Sequence, residues 1–212
     1  MTETARDMTV AEEDLLRAEL YDFLGLLLAR PPEAALLART AALTGDGSPL
    51  GQAVSDLAAR AARTTEPAAE REYTRLFIGI GRGELLPYAS YYMTGFLNEK
   101  PLAKLRDDMA RLRIARTEAV SEPEDHVASL CEMMGGLIVG RFGAPASLEA
   151  QREFHAKHVA PWAGHFFSDL TSAQSAEFYG AVGAVGRAFM DIEREAFRLG
   201  AAPQPRMNEG RA

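Results

Sequence analysis

A chain of 212 residues, 47% hydrophobic and 25% charged, has the balance of a folded protein and the length to bury one large core. Thirty acidic residues against 23 lysines and arginines give a net charge of −7. That disfavours nucleic acid and anionic membranes, which are gripped by basic surfaces, and is compatible with cationic peptides. The single cysteine, Cys131, cannot form an internal disulfide, which suits a reducing compartment; it reads as a small buried hydrophobe. Residues 1–9 are polar, include Glu3 and Asp7, and lack the basic front and apolar stretch of a secretory signal. Residues 24–28 are too short an apolar run to cross a bilayer. A cytoplasmic protein is expected.

Helical periodicity runs through the chain, with no convincing strand. Thr9 and Glu12 have capping-box spacing. Leu16, Leu20, Phe23, Leu24 and Leu27 then predict one helix face, which stops at Pro31-Pro32. A short helix is predicted over 33–43. Ser48-Pro49 starts a third, with Leu50, Val54, Leu57 and Ala61 inward, and Glu66-Pro67 a fourth, with Ala69, Tyr73, Leu76 and Phe77 inward. Periodicity breaks over 79–90, a loop longer than the usual helix connection and therefore a functional candidate. Leu102, Leu105, Met109 and Leu112 mark the next stripe.

Ser121-Glu122-Pro123-Glu124-Asp125-His126 stands directly ahead of a long apolar stripe: Val127, Leu130, Met133, Met134, Leu137 and Ile138. Ser121 and Glu124 have capping-box spacing, and proline is tolerated near a helix start. Asp125 and His126 are therefore predicted in the first turn of a helix running to about Phe142. Gly143-Ala144-Pro145 breaks it. A helix over 148–160 closes at Pro161, and 162–170 continues in a new direction. Thr171 and Gln174 have capping-box spacing ahead of the cleanest amphipathic pattern: Phe178, Val182, Val185, Phe189, Ile192 and Leu199, ended by Gly200. Residues 201–212 are polar and proline-bearing and are expected to be a disordered tail. The whole predicts an all-α fold, a single globular domain over 1–200 with roughly eight to ten helices.

Catalytic patterns are missing where they would be sought. The residues three before His126, His155, His158 and His165 are Pro123, Arg152, His155 and Trp162, so the Glu-x-x-His motif of a di-iron bundle does not occur. No cysteine pair or H-E-x-x-H motif suggests zinc, and no metal is expected. Gly79, Gly81 and Gly83 lack the preceding strand and the Gly-Lys-Ser/Thr of phosphate loops. They read as a permissive turn, with a nucleotide-binding helical enzyme as the alternative. Ser90 has no nucleophile elbow. Asp125 and His126 are sequence neighbours whose side chains diverge on a helix, a poor relay geometry. A binding surface fits better. Met93, Met109, Met133 and Met134 supply adaptable apolar area. Tyr88, Tyr91 and Tyr92 supply aromatic bodies with polar tips, and Glu122, Glu124 and Asp125 a carboxylate rim for a peptide with a cationic front and an apolar stretch.

The run Glu72-Tyr73-Thr74-Arg75-Leu76-Phe77-Ile78-Gly79, followed by Pro87-Tyr88-Ala89-Ser90-Tyr91-Tyr92, resembles the TorD/DmsD/NarJ family of redox-enzyme maturation chaperones. So do Pro123-Glu124-Asp125-His126 with Leu130 and Met133-Met134, and the late block Phe154-His155-x-x-His158-x-x-Pro161-Trp162-x-x-x-Phe166. The resemblance covers roughly residues 70–170, in the family's order. It implies an all-helical cytoplasmic chaperone, not an enzyme. Such a protein binds the apo catalytic subunit of a molybdopterin-dependent oxidoreductase, in many members its N-terminal twin-arginine signal, until the cofactor is inserted. The binding positions so implied are Tyr88, Ser90, Tyr91, Asp125 and His126, to which the rim and the methionine stripe add Glu124 and Met133. No cofactor of its own is expected, although GTP binding has been proposed for some members. Helix-exchanged dimers also occur in the family, and residues 143–145 would supply a hinge beside the monomer alternative. The Gly-Arg-Gly-Glu-Leu-Leu loop and the segment from Tyr91 to Leu97 look like members serving formate dehydrogenase-type enzymes.

Overall fold

A computed structural model describes residues 10–116 and 122–200. Among these lie ten α-helices: α1 Glu12–Ala29, α2 Ala34–Ala41, α3 Pro49–Ala61, α4 Glu66–Tyr73, α5 Ala89–Thr94, α6 Lys100–Arg111, α7 Val127–Val139, α8 Leu148–Phe154, α9 Ala163–Ser172 and α10 Phe178–Gly200. Helices α4 and α8 each end in a π-helical turn, Thr74–Ile78 and His155–Val159. The all-α expectation holds. Among the described residues the only strand-like pairing is an isolated antiparallel bridge between Tyr88 and His126. No described helix is long and apolar enough to cross a membrane.

Two long contacts organise the core, α1 along α7 and α9 along α10, with α3 covering α10 from another side. Small residues set the first. Gly25 faces Cys131 and the Ala128 carbonyl, and a Cβ on Gly135 would lie 2.5 Å from Asp22 Oδ1. Backbones packed this closely exclude side chains from the seam, so the buried face of α1 extends beyond the predicted stripe to small residues. Ala18, Tyr21, Gly25 and Leu28 join the predicted Leu24 and Leu27 in the core, Leu20 and Phe23 are half-buried, and of the predicted stripe Leu16 alone is exposed, at 61%. Cys131 is buried in this seam, and burial pushes its thiol far up. On the other contact Gly186 lies flat against the Phe167 ring. Between the two, the Tyr21 ring meets Phe189 edge-on at 4.7 Å, and its hydroxyl donates to buried Glu193, which also accepts from Arg17 at 2.7 and 2.9 Å.

Helix starts follow the sequence in part. Ser48 caps α3 by accepting from the Gly51 N–H. Thr171, however, is in the last turn of α9 and donates to the Phe167 carbonyl, so it caps nothing. The cap of α10 comes from α4: the Glu72 carboxylate accepts from the N–H groups of Glu177, Phe178 and Tyr179 at 2.7, 3.1 and 2.7 Å. Glu84 accepts from the N–H groups of Gln174 and Ser175 in the turn ahead of α10. Thr9, Ser121 and the 201–212 tail lie outside the described residues.

Candidate functional site

The predicted site gathers where the loop after α4 meets the approach to α7. After the π turn the chain reverses through Gly79 and Gly81, both at positive φ, a conformation that glycine adopts without a Cβ clash. The loop folds back onto the helix end, with Glu84 and Leu85 N–H groups donating to the Arg75 and Leu76 carbonyls. A Cβ on Gly83 would sit 2.5 Å from the Phe77 carbonyl carbon. These glycines therefore have a packing reason for being there. The loop then extends past Pro87 and pairs with residues 125–127. The Ala89 N–H donates to the Asp125 carbonyl at 3.0 Å, and the Val127 N–H to the Pro87 carbonyl at 2.8 Å.

This pairing corrects the predicted helix start. Helix α7 begins at Val127, so Asp125 and His126 precede it, and His126 is its N-cap, with Nδ1 accepting from the Ala128 N–H at 3.2 Å. The bridge holds His126 extended, and Asp125 lies in a turn closed by the His126 N–H on the Pro123 carbonyl at 3.1 Å, so this junction outweighs the local capping signal. Asp125 is 1% exposed and caps a different helix: Oδ2 accepts from the Ser90 N–H in the first turn of α5 at 2.7 Å. Ser90 is fully buried, and its hydroxyl, like Asp125 Oδ1, has no hydrogen-bond partner among the described residues. The His126 ring lies beneath Tyr88, edge-on at 5.1 Å. Burial lowers its pKa to about 4, against the pull of Glu122 and Asp125, so it is the neutral ring that serves as acceptor.

What reaches solvent is a second tier of groups. The Tyr88 hydroxyl donates to exposed Glu122, and burial together with that carboxylate raises the phenol well above its usual range. Arg82 donates to the Tyr91 hydroxyl and lies over the same ring at 5.0 Å. Ile78 and Ile80 stand exposed on the same loop. Tyr92 points elsewhere, onto Trp162 and Phe166, with its hydroxyl on Asp169.

The remaining predicted positions are less exposed than a peptide rim requires. Glu124 is buried and grips Arg106 through two N–H groups at 3.0 and 2.8 Å, with Arg116 3.6 Å away. Burial works to raise its carboxyl, but the Arg106 hydrogen bonds, a backbone N–H and the charges of Arg106 and Arg116 together outweigh it and hold the group below its usual range. Met133 is buried on α7 and, with Met109, lines a small cleft of about 140 Å³ that also borders Glu122 and Glu132. The structure thus brings Tyr88, Ser90, Asp125 and His126 into one junction, with Tyr91 on its exposed flank, Glu124 turned into an ion pair and Met133 in the wall below. Of the predicted carboxylate rim only Glu122 is exposed, while Glu124 and Asp125 are buried; Arg82 and the Glu72 cap were not among the predicted site positions. Glu72 had one legible signal, a carboxylate on the inward side of α4 among Ala69, Tyr73 and Leu76.

His155 and His158 do not converge. His155 stacks on Phe197 at 4.9 Å, while His158 Nε2 meets Asp108 at 2.7 Å. No group of three or more metal-ligating side chains is found among the described residues.

The family model described as nitrate reductase delta subunit matches residues 44–168. Chaperone protein TorD of Photobacterium profundum is 30% identical over 156 residues, covering 70% of this chain and 71% of that protein. TorD of Aliivibrio salmonicida is 29% identical over 154 residues, covering 69% and 71%. TorD of Aliivibrio fischeri is 28% identical over 130 residues, and the chain spans 60% of its length. In fold the chain is similar to the crystal structure of a proposed redox enzyme maturation protein from Archaeoglobus fulgidus. The TM-score is 0.56 at 18% identity, over 89% of this chain and 99% of that one.

Proposed function

This chain belongs to the nitrate reductase delta subunit family, the group of the TorD and NarJ redox-enzyme maturation chaperones, and from that premise we propose that it holds the catalytic subunit of a molybdopterin-dependent oxidoreductase in the cytoplasm before cofactor insertion. It is a chaperone of redox-enzyme maturation, not an enzyme. The segment it reads is the client's N-terminal twin-arginine signal, and a formate dehydrogenase-type subunit is the client class favoured by the loop composition. The reading needs no cofactor of the chaperone's own.

The observation that carries the site assignment is the bridge between Tyr88 and His126. It stacks an exposed pair, the Tyr88 hydroxyl and the Glu122 carboxylate, on a buried clamp made by Asp125, Ser90 and His126. Glu122 is placed to meet a guanidinium, a charge-assisted contact worth about 1.5–3 kcal/mol. The exposed Ile78 and Ile80 offer area to the apolar stretch. Asp125 and His126 act from behind by fixing the loop, and touch the peptide only through the backbone they hold.

The test is affinity capture from the native cytoplasm followed by mass spectrometry, with a Glu122→Gln, Tyr88→Phe variant beside the wild type. A molybdoenzyme catalytic subunit should be recovered with the wild type and depleted with the variant. Recovery of none, under conditions where such an enzyme is expressed, would sink the proposal.

A further inference from the structure

The chain has 20 arginines but only three lysines, and all three lysines, Lys100, Lys104 and Lys157, line one cleft. The cleft, about 660 Å³, lies between α5, α6 and the π turn His155–Val159, with Met93, Thr94 and Pro101 among its walls. Lys100 and Lys104 stand one turn apart on α6, and neither meets a carboxylate among the described residues. Like charges at that spacing repel. They also stand in the first turns of a helix whose acid at that end is the N-cap residue Glu99, with none within the first turn, where the dipole disfavours a cation. Lys157 is held by Glu153 at 2.6 Å. Asp108, on the cleft wall, is already engaged by His158 and Arg111, both at 2.7 Å. Asp107 is the one other carboxylate lining the cleft. In a chain of net charge −7 this is a local excess of positive charge, arranged unfavourably in the absence of an anionic partner. Met93 is exposed on the cleft wall, as are Phe96 and Leu97 in the α5–α6 turn beside it.

We propose that this cleft docks an acidic peptide segment of a protein partner, its carboxylates on Lys100 and Lys104 and its apolar side chains on Met93 and the neighbouring turn. Exposed ammonium groups beside exposed apolar side chains favour a peptide over a small anion, which is bound by enclosed donors. The charge preference is opposite to that of the proposed signal site, so the two surfaces can hold different segments at once, and this assignment does not depend on that one.

The test is fluorescence anisotropy of the full chain with a labelled peptide of alternating Glu and Leu. Binding should weaken with added salt and fall about tenfold or more in Lys100→Glu, Lys104→Glu. It should survive in Lys100→Arg, Lys104→Arg and in Tyr88→Phe. Both lysines are exposed, so melting should not move in these variants. Four results would each overturn the proposal: equal binding of an alternating Lys-Leu peptide, no loss on charge reversal, tripolyphosphate or a Glu-Gly peptide binding as tightly as Glu-Leu, or self-association of the chain that charge reversal abolishes. The last two would reassign the cleft to a simple anion or to a second copy.

Discussion

Asp125 and Glu122 are three residues apart and have opposite positions, one sealed and one in solvent. Asp125 carries the α5 N–H of Ser90 and sits beside an unpartnered hydroxyl. Its replacement by alanine strands a buried donor, which costs about 1–3 kcal/mol. Asp125→Ala should therefore lower the melting temperature measured by circular dichroism as well as weaken client binding. Glu122→Gln and Tyr88→Phe should leave melting unchanged and act on binding alone. If Asp125→Ala melts like the wild type, the clamp is not structural. The sequence showed that 121–126 was special, because proline, capping spacing and an acid–base pair are local. It could not show that His126 would pair with Tyr88 some 40 residues away, and that pairing decides where α7 starts and which atoms face solvent.

At the scale of elements the same lesson recurs in the caps. Helix α10 has a legible core face over its first three turns, where Phe178, Val182, Val185 and Phe189 are buried as the period predicts, whereas Ile192 and Leu199 of the same stripe are exposed. Its start was misread, because three N–H groups are satisfied by Glu72 from α4 rather than by a nearby side chain. Glu72→Gln keeps the shape but loses the charge that complements the helix dipole and the strength of charge-assisted bonds. It should destabilise by about 1–2 kcal/mol in urea unfolding, with little change in the slope. The α9–α10 contact gives a second test. A methyl group on Gly186 would be driven into the Phe167 ring, so Gly186→Ala should cost about 1–3 kcal/mol, although alanine is the better helix former. Faces set by large side chains were readable; those set by Ala18, Gly25 and Gly135 were not, since small residues leave no hydrophobic signal.

For the whole molecule, buried neutral histidines set the acid limit. Burial brings His126 and His155 down to about 4 from an ordinary value of 6.5. The unfolded chain therefore binds protons that the folded one refuses, so stability falls as pH drops below 6.5 and goes on falling toward pH 4. Each histidine should withdraw about 2 kcal/mol between pH 7 and pH 5, read as a steady fall in denaturation midpoint over that range. A flat midpoint would mean that the two rings are accessible to protons in the folded state. Client binding, by contrast, should not titrate through His126 over the same range, because the folded ring stays neutral until about pH 4.

The central claim is that the Tyr88–His126 junction reads the front of a molybdoenzyme subunit. Calorimetric titration of the full chain with a synthetic peptide of the captured client's N-terminus tests it most directly. The wild type should bind at about micromolar affinity, and Glu122→Gln, Tyr88→Phe should bind at least about tenfold more weakly at unchanged melting temperature. Equal affinity of the two proteins, or no binding by either, would contradict the account.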